Sequence, residues 1–275
     1  MKIAILGYGN FGSGFGTYLS RLNHEIIKEK VEDAEFIFVS VPSFAVVSAL
    51  LEFKKDLLNK KIIICSKGFT PEGKLIVDEL KENSIENVFF LYGPTLIEEI
   101  IKGEIFGMVL AGGEGKEEIK KQIESAQLHI ELSEDVIGVQ VGSALKNVMT
   151  IFIGMVEGAG YGKNTKALIF TKCLREIQNF GVSLGANQDT FYGLSCLGDL
   201  MLDSRNRYLG VEFIKGRKIE DLIKEKNCTF EGIRNIKNAI IIAKRLNINI
   251  PIIDNLNSVL FEGLSINDAV KNIIG

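Results

Sequence analysis

One lysine, Lys146, lies in a run of mostly small and apolar residues, GVQVGSALKNVMTIFIGMVEGAG, at residues 138–160. If this run is helical, four polar residues fall three and four positions apart on one narrow face: Ser143, Lys146, Asn147 and Thr150. A polar stripe that faces a protein interior must be paired or functional. Burial would lower the pKa of the lysine, so that the amine could both accept and donate a proton. The spacing alone leaves two interpretations open, a structural lysine whose head group reaches solvent and a catalytic acid and base.

A glycine-rich turn, GYGNFG at residues 7–12, follows the first predicted strand and opens the first predicted helix. This is the GxGxxG pattern of dinucleotide-binding folds. Gly7 allows the tight turn, Gly9 lets a pyrophosphate approach the backbone, and Gly12 lets helix and strand pack closely. The helix N-terminus adds free N–H groups and a positive dipole end. This context favours a site for NAD or NADP over a turn that only satisfies packing.

Hydride transfer between an alcohol and a nicotinamide also needs a group that takes or returns the hydroxyl proton. Histidine commonly does this, but the chain has only His24 and His129. Both fall in predicted strands, where core or edge positions are expected. Lys146 is therefore the candidate for the proton transfer.

The choice between NAD and NADP depends on the residues after the second predicted strand. An acid there suits the ribose hydroxyls of NAD, whereas a cation suits the 2′-phosphate of NADP. This chain has Lys28, Glu29 and Lys30 at that point. The sequence does not choose between the two cofactors, and a solvated charged turn is an equal alternative.

The elements that must hold these residues differ between the two halves of the chain. Strands are predicted at residues 2–6, 24–27, 35–41, 61–65, 87–92 and 105–111, and helices at residues 11–22, 43–57, 71–81 and 115–126. After about Glu134 only helices are predicted, at residues 136–156, 164–184, 205–214, 230–246 and 252–261. Runs that are apolar on both faces and separated by helices indicate a parallel sheet covered on both sides. We therefore predict an α/β protein, in which a Rossmann-like, doubly wound, mostly parallel sheet (residues 1–135) binds the dinucleotide and an all-α domain (residues 136–275) binds the substrate.

Composition narrows the class of protein further. The net charge of −3 gives no global positive field for nucleic acid or an anionic membrane, so an anionic substrate needs a local cationic cluster. The longest apolar run, residues 148–156, is too short to span a bilayer, and the N-terminus lacks a signal-peptide pattern. The cysteines, Cys65, Cys173, Cys196 and Cys228, show no CxxC spacing and indicate reduced thiols without a metal site. We expect a cytoplasmic protein without a membrane span, and the oligomeric state, a homodimer included, stays open.

Several further motifs, taken in order, resemble the NAD(P)-dependent sn-glycerol-3-phosphate dehydrogenase family. They are CSKGF (residues 65–69), YGPTL (92–96), LKN (145–147), TFYGLSCLGDL (190–200), SRNR (204–207) and FEGIR (230–234). The resemblance spans essentially the whole chain, and its LKN and LGDL…SRN elements are more specific than the glycine fingerprint. It implies reversible interconversion of dihydroxyacetone phosphate and sn-glycerol 3-phosphate, the backbone donor for phospholipids.

The resemblance also implies roles for individual residues. Lys146 would donate and accept the proton, Asp199 would orient it and a substrate hydroxyl, and Lys67 would touch both substrate and cofactor. The other substrate contacts would be Gly93, Thr95 and Asn147, with Ser204, Arg205 and Asn206 holding the phosphate. The other cofactor contacts would be Asn10, Phe11, Arg205 and Glu231. An aspartate beside the lysine would favour the ammonium form and oppose the effect of desolvation.

The chain departs from the family pattern in two places. After HEII (residues 24–27) it runs almost directly into VEDAEFIFVSVPS, where the family has a longer stretch around the adenine ribose. Before Arg205, the short LMLDS replaces a longer loop, and Asp203 would repel a phosphate there unless it points away. Two alternatives remain, another lysine-dependent NAD(P)H ketoacid reductase of the same plan and a non-catalytic dinucleotide-binding protein.

Overall fold

The structure, a computed structural model, describes residues 1–202, 204–226 and 230–275. Within these residues seven strands form one sheet, in the order β2-β1-β3-β4-β5-β6-β7. The strands are β1 (Lys2–Leu6), β2 (Glu25–Lys28), β3 (Phe36–Val39), β4 (Lys61–Ile64), β5 (Val88–Tyr92), β6 (Phe106–Ala111) and β7 (Leu128–Ser133). Neighbouring strands are parallel except β5 and β6, which are antiparallel. The predicted mostly parallel sheet is confirmed.

Helices flank the sheet and then make up the rest of the chain. They are α1 (Asn10–Arg21), α2 (Val46–Glu52), α3 (Ile76–Glu82), α4 (Ile97–Lys102), α5 (Lys116–Ile123), α6 (Val136–Gly158), α7 (Lys163–Ser183), α8 (Arg205–Ile214), α9 (Ile219–Lys226), α10 (Glu231–Leu246), α11 (Pro251–Phe261) and α12 (Ile266–Ile274). Successive residues of a buried strand point to opposite faces. In β1, Ile3 and Ile5 pack on the α1 side, whereas Ala4 and Leu6 join the core that continues into the helical half.

Helix α6 is the centre of the helical half. Residues 138–156 are all buried, so α6 is a core helix, although its length and composition alone would allow it to cross a membrane. Glycines bring α8 against it: a Cβ on Gly154 would collide with the carbonyl of Arg207, and a Cβ on Gly210 with the carbonyl of Ile151. The backbones of α6 and α8 therefore touch directly, which fixes the position of the α8 N-terminus relative to the residues of α6.

The observed elements differ from the predicted ones in particular places. The helix predicted at residues 43–57 is a short 3-10 turn (Ser43–Ala45), then α2, then a second turn (Lys54–Asp56). The helix predicted at residues 71–81 begins only at Ile76. The prediction contained no α4, α9 or α12, and it had only His129 to indicate β7. These elements are short, and short segments carry few turns of periodic pattern.

The connection between β2 and β3 is unusually short. The two strands lie on opposite sides of β1, and only residues 29–35 join them. A parallel crossover usually takes a dozen or more residues and often a helix. Here Val31 and Ala34 are buried and join the same core as Ala4 and Leu6, so the crossing segment itself covers this part of the sheet. The end of β2 is therefore held close to the glycine-rich turn.

Candidate active site

The glycine-rich turn has the geometry that its sequence predicts. Gly7 has φ +88°, a conformation that side chains rarely adopt, and a Cβ there would collide with the backbone at Ser40 and Val41. Gly9, in contrast, faces open space, because nothing lies within 4 Å of a Cβ built on it. Helix α1 starts after Gly9 without a side-chain cap, so its first N–H groups are available to a ligand. The turn thus fits the pyrophosphate of a dinucleotide.

The polar stripe of α6 is buried. Ser143 and Thr150 are fully buried, Lys146 is 5% exposed and Asn147 is 7% exposed. Thr150 Oγ1 donates to the carbonyl of Lys146 at 2.8 Å, and Ser143 Oγ donates to the carbonyl of Ser195 at 3.2 Å. The hydroxyls are therefore satisfied within the helix and its neighbour, which leaves the amine of Lys146 and the amide of Asn147 to face the cleft.

Three charged side chains meet at the centre of the site. Lys146 Nζ lies 2.8 Å from Asp199 Oδ1, and Lys67 Nζ lies 2.6 Å from Asp199 Oδ2. Lys67 Nζ also donates to the carbonyl of Gly93 at 2.9 Å. Asp199 is 2% exposed and follows a π-helical turn (Leu194–Gly198), a distortion found frequently at functional sites. One buried carboxylate thus holds two amines, one from the sheet half of the chain and one from α6.

Burial and the neighbouring charges shift the proton affinities of this cluster. Burial lowers the pKa of Lys146, and Lys67 lowers it further, while Asp199 raises it without cancelling the effect of burial. For Asp199, burial alone would raise the pKa, but Lys146 and Lys67 together outweigh it, and the pKa is lowered. The carboxylate therefore stays ionised, while Lys146 loses its proton more readily than an exposed lysine does.

The N-terminus of α8 forms the opposite side of the site. Ser204 caps the helix by accepting from the N–H of Arg207 at 3.3 Å. Arg205 is exposed and makes no ion pair with any described residue. Asn206 is buried, and its Nδ2 donates to Asn147 Oδ1 at 3.0 Å. A helix N-terminus and a guanidinium make a site suited to an anion such as phosphate.

One cleft of about 720 Å³ joins these parts. It is lined by these predicted site residues: Gly9, Asn10, Phe11, Lys67, Thr95, Lys146, Asn147, Asp199, Ser204, Arg205, Asn206 and Glu231. Gly7, Gly12 and Gly93 do not line it. Gly93 lies behind Lys67 and supplies the carbonyl that orients the amine. The two histidines lie elsewhere, since His24 Nε2 contacts the carbonyl of Gln122 and the side chain of His129 is exposed. Asp203 and Cys228 fall outside the described residues.

Sequence reasoning missed some residues that contact the site. Ser43 Oγ donates to Glu231 Oε2 at 2.7 Å, and burial raises the pKa of Glu231 while this bond opposes the rise. Ser43 lies shortly after the end of β3, in VPS (residues 41–43), and that position beyond the carboxyl end of a parallel strand was the available signal. Glu29 was noted in the sequence but not placed, and its Oε1 accepts from the N–H groups of Gly7 and Tyr8 at 3.1 and 3.2 Å.

A doubly wound sheet, an open glycine turn and a buried amine beside the same cleft define a nicotinamide-dependent dehydrogenase. Comparison with known proteins agrees. Residues 26–118 match the family profile for the NAD-dependent glycerol-3-phosphate dehydrogenase N-terminus, and residues 135–271 match the profile for its C-terminus. The chain belongs to the NAD-dependent glycerol-3-phosphate dehydrogenase family.

Individual relatives support this assignment over most of the chain. A glycerol-3-phosphate dehydrogenase [NAD(P)+] from Fusobacterium nucleatum is 36% identical over 262 residues, which are 90% of this chain and 78% of the relative. One from a Thermoanaerobacter species is 30% identical and covers 100% of this chain and 97% of the relative. The crystal structure of glycerol-3-phosphate dehydrogenase from Coxiella burnetii superposes with a TM-score of 0.91 at 21% identity, covering 99% and 98% of the two chains. The Thermoanaerobacter match covers the whole chain and therefore includes the glycine turn, which precedes the matched N-terminal profile.

Proposed function

We propose that this protein is an NAD(P)-dependent sn-glycerol-3-phosphate dehydrogenase that interconverts dihydroxyacetone phosphate and sn-glycerol 3-phosphate. The observation that carries the proposal is the Lys146–Asp199–Lys67 cluster, which lies in one cleft with the glycine turn and the N-terminus of α8. An amine for the proton, a turn for the dinucleotide and an anion site for the phosphate are the three parts that this reaction needs.

The chemistry divides between the cofactor and the protein. When bound, the dinucleotide supplies or accepts a hydride at its nicotinamide ring. In the oxidation, the neutral amine of Lys146 takes the proton from the middle hydroxyl of the substrate, and in the reduction the ammonium returns it. Asp199 holds Lys146 in place, and Lys67 balances the carboxylate charge from the other side. Arg205 and the N-terminus of α8 hold the phosphate, and Asn147 and Thr95 flank the carbon chain between them.

We also propose that the enzyme prefers NADH to NADPH. Glu29 follows β2 and its carboxylate is anchored on the fingerprint turn by the N–H groups of Gly7 and Tyr8. An acid at this position binds the adenosine ribose hydroxyls, whereas a 2′-phosphate would meet a like charge. Of the two lysines that flank Glu29 in the sequence, Lys28 lies with its ammonium 4.1 Å from the centre of the Tyr8 ring. The short β2–β3 connection keeps Glu29 in this position.

The cofactor preference is tested with kcat/KM for NADH and for NADPH. We expect the wild type to favour NADH by about tenfold or more, which corresponds to about 1.4 kcal/mol. Glu29→Ser should lose most of this preference. Glu25→Ser, at the exposed start of β2, is the matched control and should keep it. Equal use of both cofactors by the wild type would contradict the assigned role of Glu29.

The activity itself is tested by following NADH absorbance with dihydroxyacetone phosphate as substrate. Turnover supports the proposal, and equal turnover of a phosphate-free ketoacid would favour the alternative of a ketoacid reductase. Cofactor binding by calorimetry without turnover would establish a non-catalytic dinucleotide-binding protein. Each outcome separates one of the alternatives from the other two.

The proposal extends to domain roles, location and assembly. We assign dinucleotide binding to residues 1–135 and substrate binding to residues 136–275, because β7 ends at Ser133 and α6 begins at Val136. We expect the enzyme to act in the cytoplasm as a homodimer, for which exposed apolar side chains such as Leu58 and Ile105 are available. Sedimentation equilibrium tests the assembly, and a mass equal to the 30.4 kDa chain would contradict it.

A further inference from the structure

Helix α10 reaches across to the loops of the sheet half at several points along one side. Glu231, in its first turn, accepts from Ser43, and Arg245, in its last turn, donates to the carbonyl of Gly73 at 2.7 Å. Between them lies Asn235, which is fully buried and whose Oδ1 accepts from the N–H of Phe69 at 3.1 Å. The helix thus holds the backbone of the segment that follows β4, and this segment carries Lys67.

The amide of Asn235 makes only part of the contacts that its atoms allow. Its Nδ2 has no hydrogen-bond partner among the described residues, although it is buried. A buried amide with an unused donor is unfavourable in a core position that an apolar residue could fill. The position is therefore better explained by what the acceptor oxygen does than by packing. That oxygen accepts a hydrogen bond from the N–H of Phe69.

The segment from Ser66 to Phe69 is constrained on each side of Lys67. The carbonyl of Ser66 accepts from Tyr92 Oη at 2.6 Å, which fixes the residue before the lysine. After the lysine, Gly68 packs so closely on Ser43 and Asn235 that a Cβ would lie 2.6 Å from the Ser43 Cβ and 3.0 Å from Asn235 Oδ1. The hydrogen bond from the N–H of Phe69 to Asn235 fixes the other end of the segment. From this fixed backbone, the Lys67 side chain reaches both Gly93 and Asp199.

We propose that Asn235 is a positioning residue for Lys67: by accepting the N–H of Phe69, it fixes the loop after β4 so that the ammonium group reaches Gly93 and Asp199 together. The inference rests on the proposed function, because it assigns Asn235 a part in the turnover of the phosphorylated substrate. Asn235 touches neither substrate nor cofactor, since it does not line the cleft. Its effect passes through the backbone of residues 67–69.

The test compares two variants at this position. Asn235→Leu keeps a side chain that branches at Cγ and removes the acceptor, and Asn235→Asp keeps an acceptor oxygen in the same place. Misplacing a reacting group by about 1 Å can cost roughly a hundredfold in rate, so we expect Asn235→Leu to lower kcat for dihydroxyacetone phosphate reduction by about ten- to a hundredfold. Binding of NADH, measured by calorimetry, should change little. Asn235→Asp should restore much of the turnover lost in the leucine variant.

Three further measurements distinguish positioning from simple destabilisation. Ile242→Ala, on the same helix and also buried, should lower the melting temperature without changing kcat. In a Lys67→Met background, Asn235→Leu should have little further effect on kcat, because its effect passes through Lys67. The charge of Lys67 lowers the pKa of Lys146, so its displacement should move the pH profile of glycerol 3-phosphate oxidation to higher pH.

Several outcomes would overturn the proposal. They are wild-type kcat and pH profile in Asn235→Leu, an equal loss of kcat in Ile242→Ala, and full additivity with Lys67→Met. Asn235→Ala serves in place of the leucine variant if the latter does not fold. A wild-type protein that binds NADH but does not reduce dihydroxyacetone phosphate would instead contradict the proposed function. The wild-type assay therefore comes first.

Discussion

Replacing Lys146 by methionine removes the ammonium group and keeps an unbranched side chain of similar length in the core of α6. Proton transfer by a positioned side chain contributes about 10²- to 10⁴-fold to a rate. We therefore expect kcat for dihydroxyacetone phosphate reduction to fall by that factor, which corresponds to about 3–5 kcal/mol in the activation barrier. The affinity for NADH should change little, because the pyrophosphate site is the turn before α1 rather than α6.

The stability of this variant can also be worked out from the structure. Removing one partner of a buried ion pair typically costs about 3–5 kcal/mol, because the other charge is left unpaired. Here Asp199 keeps Lys67 at 2.6 Å from its second oxygen, so no charge is orphaned. Burial also disfavours the ammonium form of Lys146, a cost that methionine removes. We expect the loss in free energy of unfolding to stay below the range for an orphaned charge.

The assay combines NADH absorbance for turnover, calorimetry for cofactor binding and circular dichroism for thermal unfolding. Lys116→Met is the matched control, because Lys116 is also a buried lysine in an ion pair, with Glu134 at 2.7 Å, and lies outside the cleft. It should lower stability without lowering kcat. The reasoning is refuted if Lys146→Met turns over near the wild-type rate, or if the control loses as much activity.

Three further predictions concern other charged groups. Asp199→Asn leaves Lys146 and Lys67 facing each other without a carboxylate, so it should lower the melting temperature more than Lys146→Met does. Because Asp199 raises the pKa of Lys146, the same variant should also move the pH profile of glycerol 3-phosphate oxidation to lower pH, and an unmoved profile would contradict this coupling. Arg205→Ala should raise KM for dihydroxyacetone phosphate by about tenfold or more, because it removes at least one charge-assisted hydrogen bond to the phosphate. The KM for phosphate-free dihydroxyacetone should stay unchanged. An unchanged KM for the phosphorylated substrate would place the phosphate elsewhere. Burial raises the pKa of Glu176 from 4.5 to about 7, against hydrogen bonds from the N–H groups of Ile252 and Ile253. Between pH 4.5 and about 7, the Glu176 carboxyl is therefore protonated in the folded state and ionised in the unfolded state. Its contribution to the free energy of unfolding, about 3 kcal/mol, is present below pH 4.5 and lost by about pH 7. Melting temperatures across this range should decline less in Glu176→Gln than in the wild type, and parallel curves would exclude the effect.

Local patterns predicted the parts of the site that a few neighbouring residues define. The glycine turn is visible because strand, glycines and helix follow each other directly, and the stripe of α6 is visible because its residues repeat at helical spacing. The meeting of Lys67 with Asp199 is not visible in this way, because 132 residues separate them. The turn before Asp199 (Leu194–Gly198) packs against both α6 and β6, and this tertiary packing brings the two residues together. The resemblance to a family pointed to each of these residues and paired Asp199 with Lys146, but it did not predict the contact between Lys67 and Asp199.

The contacts of Glu29 and Asn235 could not be predicted from the sequence. Glu29 lies among charged residues that read as a solvated turn, and only the short crossing from β2 to β3 places its carboxylate on the glycine turn. Asn235 lies on the buried side of α10, where apolar residues define the helical pattern and a single amide does not change it. In both cases the side chain is held by a hydrogen bond from a backbone N–H. Every residue except proline has such a group, so the residue types cannot indicate which one is used.

The carboxylate of Asp199 uses one oxygen for the amine of Lys146 and the other for that of Lys67. A substitution that changed the basicity of one amine through this carboxylate would also displace the other. Adaptation of such an enzyme to a more acidic or more alkaline environment would therefore have to proceed by coordinated replacements, or by changes at more distant charges that leave the shared carboxylate in place.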